Sequence, residues 1–365
     1  MISSVFAVIM LMGMLLPWFL HRSRPKTVYL LGALPLLLAA YFIYLAHIDL
    51  PLFELIGSKD PALGISLALG LRELLWLLCT LGLIFAHFIS HRKAFLSLSA
   101  TSLVLYLFSL LAVCGILLTR DIFNLFVMLE LFSVSMIGLI LAQTKHTNAL
   151  KAYAFLMLNS VAAALFLIGV VILYRHTGLL NLDALLELAV SGDLPGSATA
   201  FMMAAMSLKV MLFPLHSWAN ILIDRNGGIA ASYICMLMPM VFIYDLQKLS
   251  GLIPAPQIGF LSFLALITLL YSGYRILRYR ARHRADLVFA INALFILAFS
   301  YHYFQDAYPL LLIIGISSSL IKMLVLKGKK EDEAQELSNV GWYPNLNNSI
   351  LAILIVLIMY FIIGA

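Results

Sequence analysis

The chain is a succession of long apolar runs separated by short polar stretches. Continuous hydrophobic segments cover roughly 2–20, 27–47, 66–90, 94–119, 122–142, 152–174, 198–218, 229–247, 257–274, 287–304, 308–326 and 347–365. About 20 apolar helical residues cross the hydrocarbon core of a bilayer. The runs are continuous rather than alternating, which excludes a β-barrel. The pattern predicts an all-α polytopic membrane protein with about 12 transmembrane helices and no soluble domain. The third segment begins beside Arg72 and Glu73, which either pair one turn deep or precede the crossing. The longest polar stretches are 48–65, 175–197 and 327–346. Within them LLNLDALLELA reads as a short helix on the outer surface. KGKKEDEAQELSNVGWYPN reads as an amphipathic cytoplasmic connector. The first run, Ile2 to Leu20, has no basic residue before it and no clear cleavage site after it, and is expected to be a retained membrane helix.

Composition narrows the function classes. Of the residues, 63% are hydrophobic and 11% charged, against about 25% charged in soluble domains. This excludes a soluble enzyme, a disordered chain and a nucleic-acid binder. Cys79, Cys114 and Cys235 each sit alone inside apolar runs, without metal or redox spacing. No Gly-rich phosphate loop, metal constellation or catalytic triad is present, so neither a catalytic residue nor a cofactor is expected. Redox chemistry, where the parent assembly has it, belongs to partner subunits.

The net charge of +6 is explained by where the basic residues fall. Sixteen of the 23 Lys and Arg lie in polar stretches after odd-numbered segments and five after even-numbered ones. Basic loops stay on the cytoplasmic side. The odd-numbered loops are therefore expected in the cytoplasm and both termini outside, in the cell (inner) membrane.

The remaining two basic residues, Lys209 and Lys322, lie inside apolar segments, as does Glu130. An ionisable group at membrane depth is costly and is a functional-site hypothesis by default. Lys209 precedes Pro214 by five residues in SLKVMLFPLHSW, and a proline there predicts a broken helix. His216 follows the break and can change charge near neutral pH. The plainer alternatives are a structural Glu130–Lys209 ion pair or charges held for docking a partner subunit, a helix-break hydrogen bond for His216, and a snorkelling Lys322.

Three runs carry a family resemblance: TRDIFNLFVMLELFSVSMIGLIL, KAYAFLMLNSVAAALFLIGVVILYRHTGLLNLDALLELA and SLKVMLFPLHSW. They resemble the antiporter-like membrane subunits of Mrp-type Na+/H+ antiporters, energy-converting membrane-bound hydrogenases and respiratory complex I, with the D-type Mrp subunit most alike. The likeness is strong over about 115–218 and looser to about 330. It implies an antiporter-like fold with inverted five-helix repeats and a broken helix in each. In this chain that gives N-terminal helices over 1–93, a first repeat over 94–248 and a partial second repeat over 257–365, all within one transmembrane domain.

The resemblance also implies a proton relay. Glu130 matches the family glutamate that exchanges an ion pair with a lysine, Lys209 matches that lysine, His216 the histidine after the break, and Lys322 a later relay lysine. Three relay positions are replaced: Ile223 stands for a histidine, Met240 for a lysine and Ser318 for a histidine. The family continues beyond the point matching Ala365, so the second repeat is expected to be incomplete. The implied function is proton, or coupled Na+/H+, translocation inside a multisubunit complex, with other membrane subunits and the bilayer as partners and no nucleic acid. A subunit that braces the membrane arm without pumping is the alternative; a stand-alone secondary transporter fits less well.

Overall fold

The computed structural model describes residues 2–57, 64–142, 147–190, 192, 194–224, 228–278, 284–303 and 308–327. Among the described residues it has twelve α-helices, one short 3-10 turn and one two-stranded sheet. Eight helical stretches are long and apolar enough to cross a membrane, and the chain is a multi-pass membrane protein. They correspond to eight of the apolar segments read from the sequence. The segment at 198–218 is interrupted. Those at 287–304 and 308–326 form helices α11 (Arg284–Tyr303) and α12 (Tyr308–Lys327). The segment at 347–365, the connector before it and its predicted side of the membrane lie outside the described residues.

The chain divides into two compact units, one of residues 1–152 and 177–192, the other of residues 153–176 and 193–365. The first unit contains α1 (Ser3–Ile48), α2 (Leu71–Ser97), α3 (Ala100–Leu118), α4 (Ile122–Ala142) and α6 (Leu182–Val190). Two predicted helices are joined in α1, with Ser23 as the one non-helical residue. The bend has a chemical cause, since Pro25 offers no N–H to the preceding turn. Helix α6 is the surface helix expected from LLNLDALLELA; it buries Leu182 and Leu185 and leaves Val190 exposed.

One boundary differs from the hydropathy reading. Residues Ile65–Leu69 are a β-strand, β2, paired antiparallel with β1 (Leu52–Ile56) in the register Leu52↔Leu69 to Ile56↔Ile65. The third crossing therefore starts at Leu71, with Arg72 and Glu73 in its first turn. Hydropathy cannot separate a buried apolar strand from the helix it runs into; Gly70, in extended conformation, makes the separation. Glu73 accepts the Gly70 N–H at 3.0 Å, capping α2, and pairs with Arg120 at 2.9 Å.

The second unit contains α5 (Thr147–Thr177), of which residues 153–176 belong to it, α7 (Gly196–Lys209), α8 (Ser217–Asp224), α9 (Gly228–Leu249), α10 (Ala255–Arg278), α11 and α12. Helix α9 is enclosed on all sides, buried from Ile229 nearly to its end, and packs on α7, α8, α11 and α12.

Candidate functional site: a broken helix with two buried lysines

The break lies where the proline predicted it, and the helix stops well before the proline itself. Helix α7 ends at Lys209. The N–H of Leu212 returns to the Ser207 carbonyl at 3.3 Å and the N–H of Met211 to Leu208 at 3.3 Å. Met211 is left-handed, with φ 66°. This is a Schellman closure, usually made with glycine. A non-glycine residue there costs about 1–2 kcal/mol, and Met211 is fully buried.

Three side chains hold the unwound segment. The N–H of Phe213 donates to Oγ1 of Thr268 at 2.8 Å. The indole N–H of Trp218 donates to the Leu208 carbonyl at 3.4 Å. Pro214 has no N–H for the carbonyl four residues earlier, that of Val210, and Nδ2 of Asn292 donates to that carbonyl at 3.3 Å. A buried backbone group must find a partner, and here α8, α10 and α11 each supply one.

Each of the two intramembrane lysines is buried and donates to a neutral amide. Lys209 is 2% exposed; its Nζ donates to Oδ1 of Asn159 at 3.3 Å and lies 5.5 Å from the Phe242 ring. Asn159 in turn donates to the Phe155 carbonyl at 2.9 Å. Lys322 is fully buried, with its Nζ on Oδ1 of Asn292 at 3.0 Å. It does not snorkel towards a headgroup region.

His216 sits in an aromatic box, its ring 4.8 Å from Phe289, 5.4 Å from Tyr271 and 5.5 Å from Phe213. Among the described residues its Nδ1 has no hydrogen-bond partner. Behind Tyr271 lies Arg275, 5.7 Å from that ring and paired with Asp286 at 3.3 Å. Glu130, half-buried on α4, belongs to the first unit, while Lys209, His216 and Lys322 belong to the second.

The three replaced positions are occupied by packing and local bonds. Ile223 is buried on α8. Ser318 turns back to the Gly315 carbonyl at 2.9 Å. Met240 is fully buried, and the Ser319 hydroxyl lies 3.8 Å from its sulfur while donating to the Met236 carbonyl at 3.1 Å. Among the described residues no three His, Cys, Asp or Glu gather as metal ligands.

Residues 119–280 match a family described as NADH:quinone oxidoreductase/Mrp antiporter, TM. The N-type subunit of the NADH-quinone oxidoreductase of Desulforudis audaxviator is 30% identical over 148 residues, covering 40% of this chain and 29% of that protein. The D-type subunit of the Na(+)/H(+) antiporter of Alkalihalophilus pseudofirmus is 33% identical over 167 residues, covering 44% and 34%. The chain thus aligns with about a third of the length of these relatives. A solved structure of the Mrp complex from Dietzia sp. DQ12-45-1b contains a chain of the same fold, with TM-score 0.73 at 19% identity, covering 88% of this chain and 62% of that one. The chain resembles the antiporter-like membrane subunits.

The motif residues that carry this antiporter-like resemblance have identifiable structural work. Asp121 caps α4 by accepting the Asn124 N–H at 2.6 Å, and Nδ2 of Asn124 returns to Thr119 at 2.9 Å. Asn181, at the end of the TGLLN run, caps α6 through the N–H groups of Asp183 and Ala184 and donates to Ser66 of β2 at 2.9 Å. Arg120 joins the same cluster, reaching Glu73 and, at 3.4 Å, Asp183. These polar bonds need an Asp or Asn side chain at each cap and a hydroxyl at Thr119 and Ser66.

Sequence reading missed Asn159, Thr268 and Asn292, because a count of charges passes over neutral polar groups. Their signal was an isolated polar residue or pair in an apolar run, as in LMLNSVAA, ALITLLY and FAINALF. It also missed a buried ion pair one turn apart on α9, Asp245–Lys248 at 3.1 Å. Lys248 lies one residue past the apolar segment 229–247, and the helix runs on through it to Leu249.

Proposed function

We propose that this chain is an antiporter-like subunit of a multisubunit ion-translocating membrane complex and takes part in proton, or coupled Na+/H+, translocation. The observation that carries the reading is Lys209, a nearly inaccessible ammonium on the last turn of a helix interrupted within the membrane. Transporters place their ion sites at such interruptions. Burial disfavours the charged form of a lysine and a nearby acceptor restores it, so small rearrangements of the break change its protonation. In this reading Glu130 is the tuning carboxylate, Lys209 the switching carrier, His216 the gate and Lys322 the next relay site. The names of the relatives, an Na(+)/H(+) antiporter subunit and a quinone oxidoreductase subunit, support the class of complex. The partners are other membrane subunits of an Mrp-like, hydrogenase or complex I-like assembly. The chain lies in the cell (inner) membrane with both termini outside, and 94–248 and 257–365 belong to a first and a second repeat of one transmembrane domain.

A bracing role without pumping draws on one observation, the fully buried thioether of Met240 where the family has a relay lysine. The two readings separate in one experiment. The full chain is tagged and purified in mild detergent, what co-purifies is identified, and the complex is reconstituted. Glu130→Gln and Lys209→Ala are expected to assemble and to lose ion movement. Wild-type pumping by both variants would leave the bracing role. The isolated chain in liposomes is expected to give no proton flux above empty vesicles, because an apolar contact at Met240 does not favour water.

A further inference from the structure

Pro214 leaves the Val210 carbonyl without a helical donor, and Asn292 supplies one. The same carboxamide accepts the Lys322 ammonium. Ammonium, amide and carbonyl thus stand in series, at 3.0 Å from Lys322 Nζ to Asn292 Oδ1 and 3.3 Å from Asn292 Nδ2 to the Val210 oxygen. All three residues are fully buried. Only one orientation of the amide serves both neighbours, since a lysine ammonium has donors and no acceptor while a carbonyl only accepts. Nδ2 also lies 3.7 Å from the sulfur of Met211, the left-handed residue of the break. Val210 directly follows Lys209.

We propose that Asn292 is a positioning residue that ties the protonation state of Lys322 to the geometry of the break that carries Lys209. This deepens the relay reading and rests on it. While Lys322 holds its proton, the bond to Oδ1 is charge-assisted and polarises the amide, which strengthens the Nδ2 bond to Val210. When the proton leaves, Oδ1 faces a neutral amine, the polarisation falls and the hold on Val210 loosens. No proton passes through the amide; it transmits orientation. The device links the two lysines past Met240, which has no titratable group.

Among the described residues, the surroundings of the switch are sparse in charge. Helix α12 packs on α9 and α11. The titratable group beside Lys322 on α9 is the Cys235 thiol. Helix α11 presents Asn292 to it, and the acidic residue of α11, Asp286, is engaged with Arg275 of α10 in its first turn. On the break itself the titratable groups are Lys209 and His216, the latter near Arg275.

Trp218 is a built-in reporter, since its indole bonds to the Leu208 carbonyl and its ring lies 5.2 Å from Phe155. The test uses the full chain in lipid nanodiscs, with Trp18, Trp76 and Trp342 changed to Phe, and follows Trp218 emission against pH. A single transition is expected. Lys322→Arg, charged throughout, should hold the acid-form emission at every pH. Lys322→Met should hold the alkaline form. Asn292→Asp keeps the volume and a partner for Lys322 but cannot donate to Val210, and should lose the transition; Asn292→Leu should lose it too. A wild-type chain without a transition, or one that persists in Lys322→Arg or in Asn292→Asp, would overturn the proposal; persistence in Lys322→Arg would assign the signal to His216. Flux in the reconstituted complex is a separate readout, so Lys209-dependent pumping without the Trp218 transition would refute this tie and leave the relay reading standing.

Discussion

The ammonium of Lys209 donates to the carboxamide of Asn159 at 3.3 Å. The amide partner itself is uncharged. A carboxylate there would add about 4 kcal/mol of attraction at an effective dielectric constant of 20, enough to keep the lysine protonated. Asn159→Asp is therefore expected to lower ion movement in the reconstituted complex at least about tenfold while the complex still assembles, since 1.36 kcal/mol corresponds to one pKa unit. Asn159→Gln should retain most of the activity. Proteoliposome flux assays check both, and unchanged flux in Asn159→Asp would remove Asn159 from the path.

Thr268 anchors the unwound segment by accepting the Phe213 N–H at 2.8 Å while donating to the Leu264 carbonyl at 2.7 Å. Thr268→Val keeps the shape and deletes both bonds. Leaving a buried donor unpaired costs about 1–3 kcal/mol, so the variant should melt earlier in detergent than wild type. Thr268→Ser retains the hydroxyl and should recover most of the loss. Equal melting of the Val and Ser variants would show that the hydroxyl does not hold the break.

Asp121 lies just outside α4 and caps it. Burial raises its carboxyl above the ordinary value, and the N–H groups of Asn124 and Phe123 pull it only part of the way back. The folded chain thus favours the neutral form. Its contribution to stability is full below the unfolded-state value and is lost as pH rises through the raised folded value. Asp121→Asn preserves the cap and should abolish this slope, so its melting temperature should gain on wild type as pH rises above about 4, the ordinary value of an aspartate. Asp121→Ala should cost about 1 kcal/mol through the lost cap. Parallel melting curves for wild type and Asp121→Asn across that range would contradict the shift.

The charge distribution sets a topology that thiol labelling can check. Val190, 90% exposed at the end of α6, is expected outside, and Arg278, at the end of α10, in the cytoplasm. With Cys79, Cys114 and Cys235 replaced, Val190→Cys should react with an impermeant maleimide on intact cells and Arg278→Cys only after permeabilisation. Reaction of Arg278→Cys from outside would reverse the orientation.

The sequence by itself determined the membrane class, most of the crossings, the presence of the break and two of the buried charges, Lys209 and Lys322. These follow from local properties: twenty apolar residues can only span as a helix, and a proline cannot donate an N–H wherever the chain goes. Tertiary structure alone decided what each freed or buried group meets. The strand at Ile65–Leu69 is as apolar as the helix after it, and only pairing with Leu52–Ile56 distinguishes the two. Glu73 meets Arg120, 47 residues further along the chain. Asn159 and Asn292 stand 50 and 30 residues from the lysines they hold. A neutral side chain contributes little to a hydropathy or charge profile, and its role depends on which donor or acceptor the packing of other helices brings within about 3 Å. The two buried lysines were legible because charge in a membrane is conspicuous; the amides that hold them were not, because a hydrogen bond is a property of two positions and a sequence displays them one at a time.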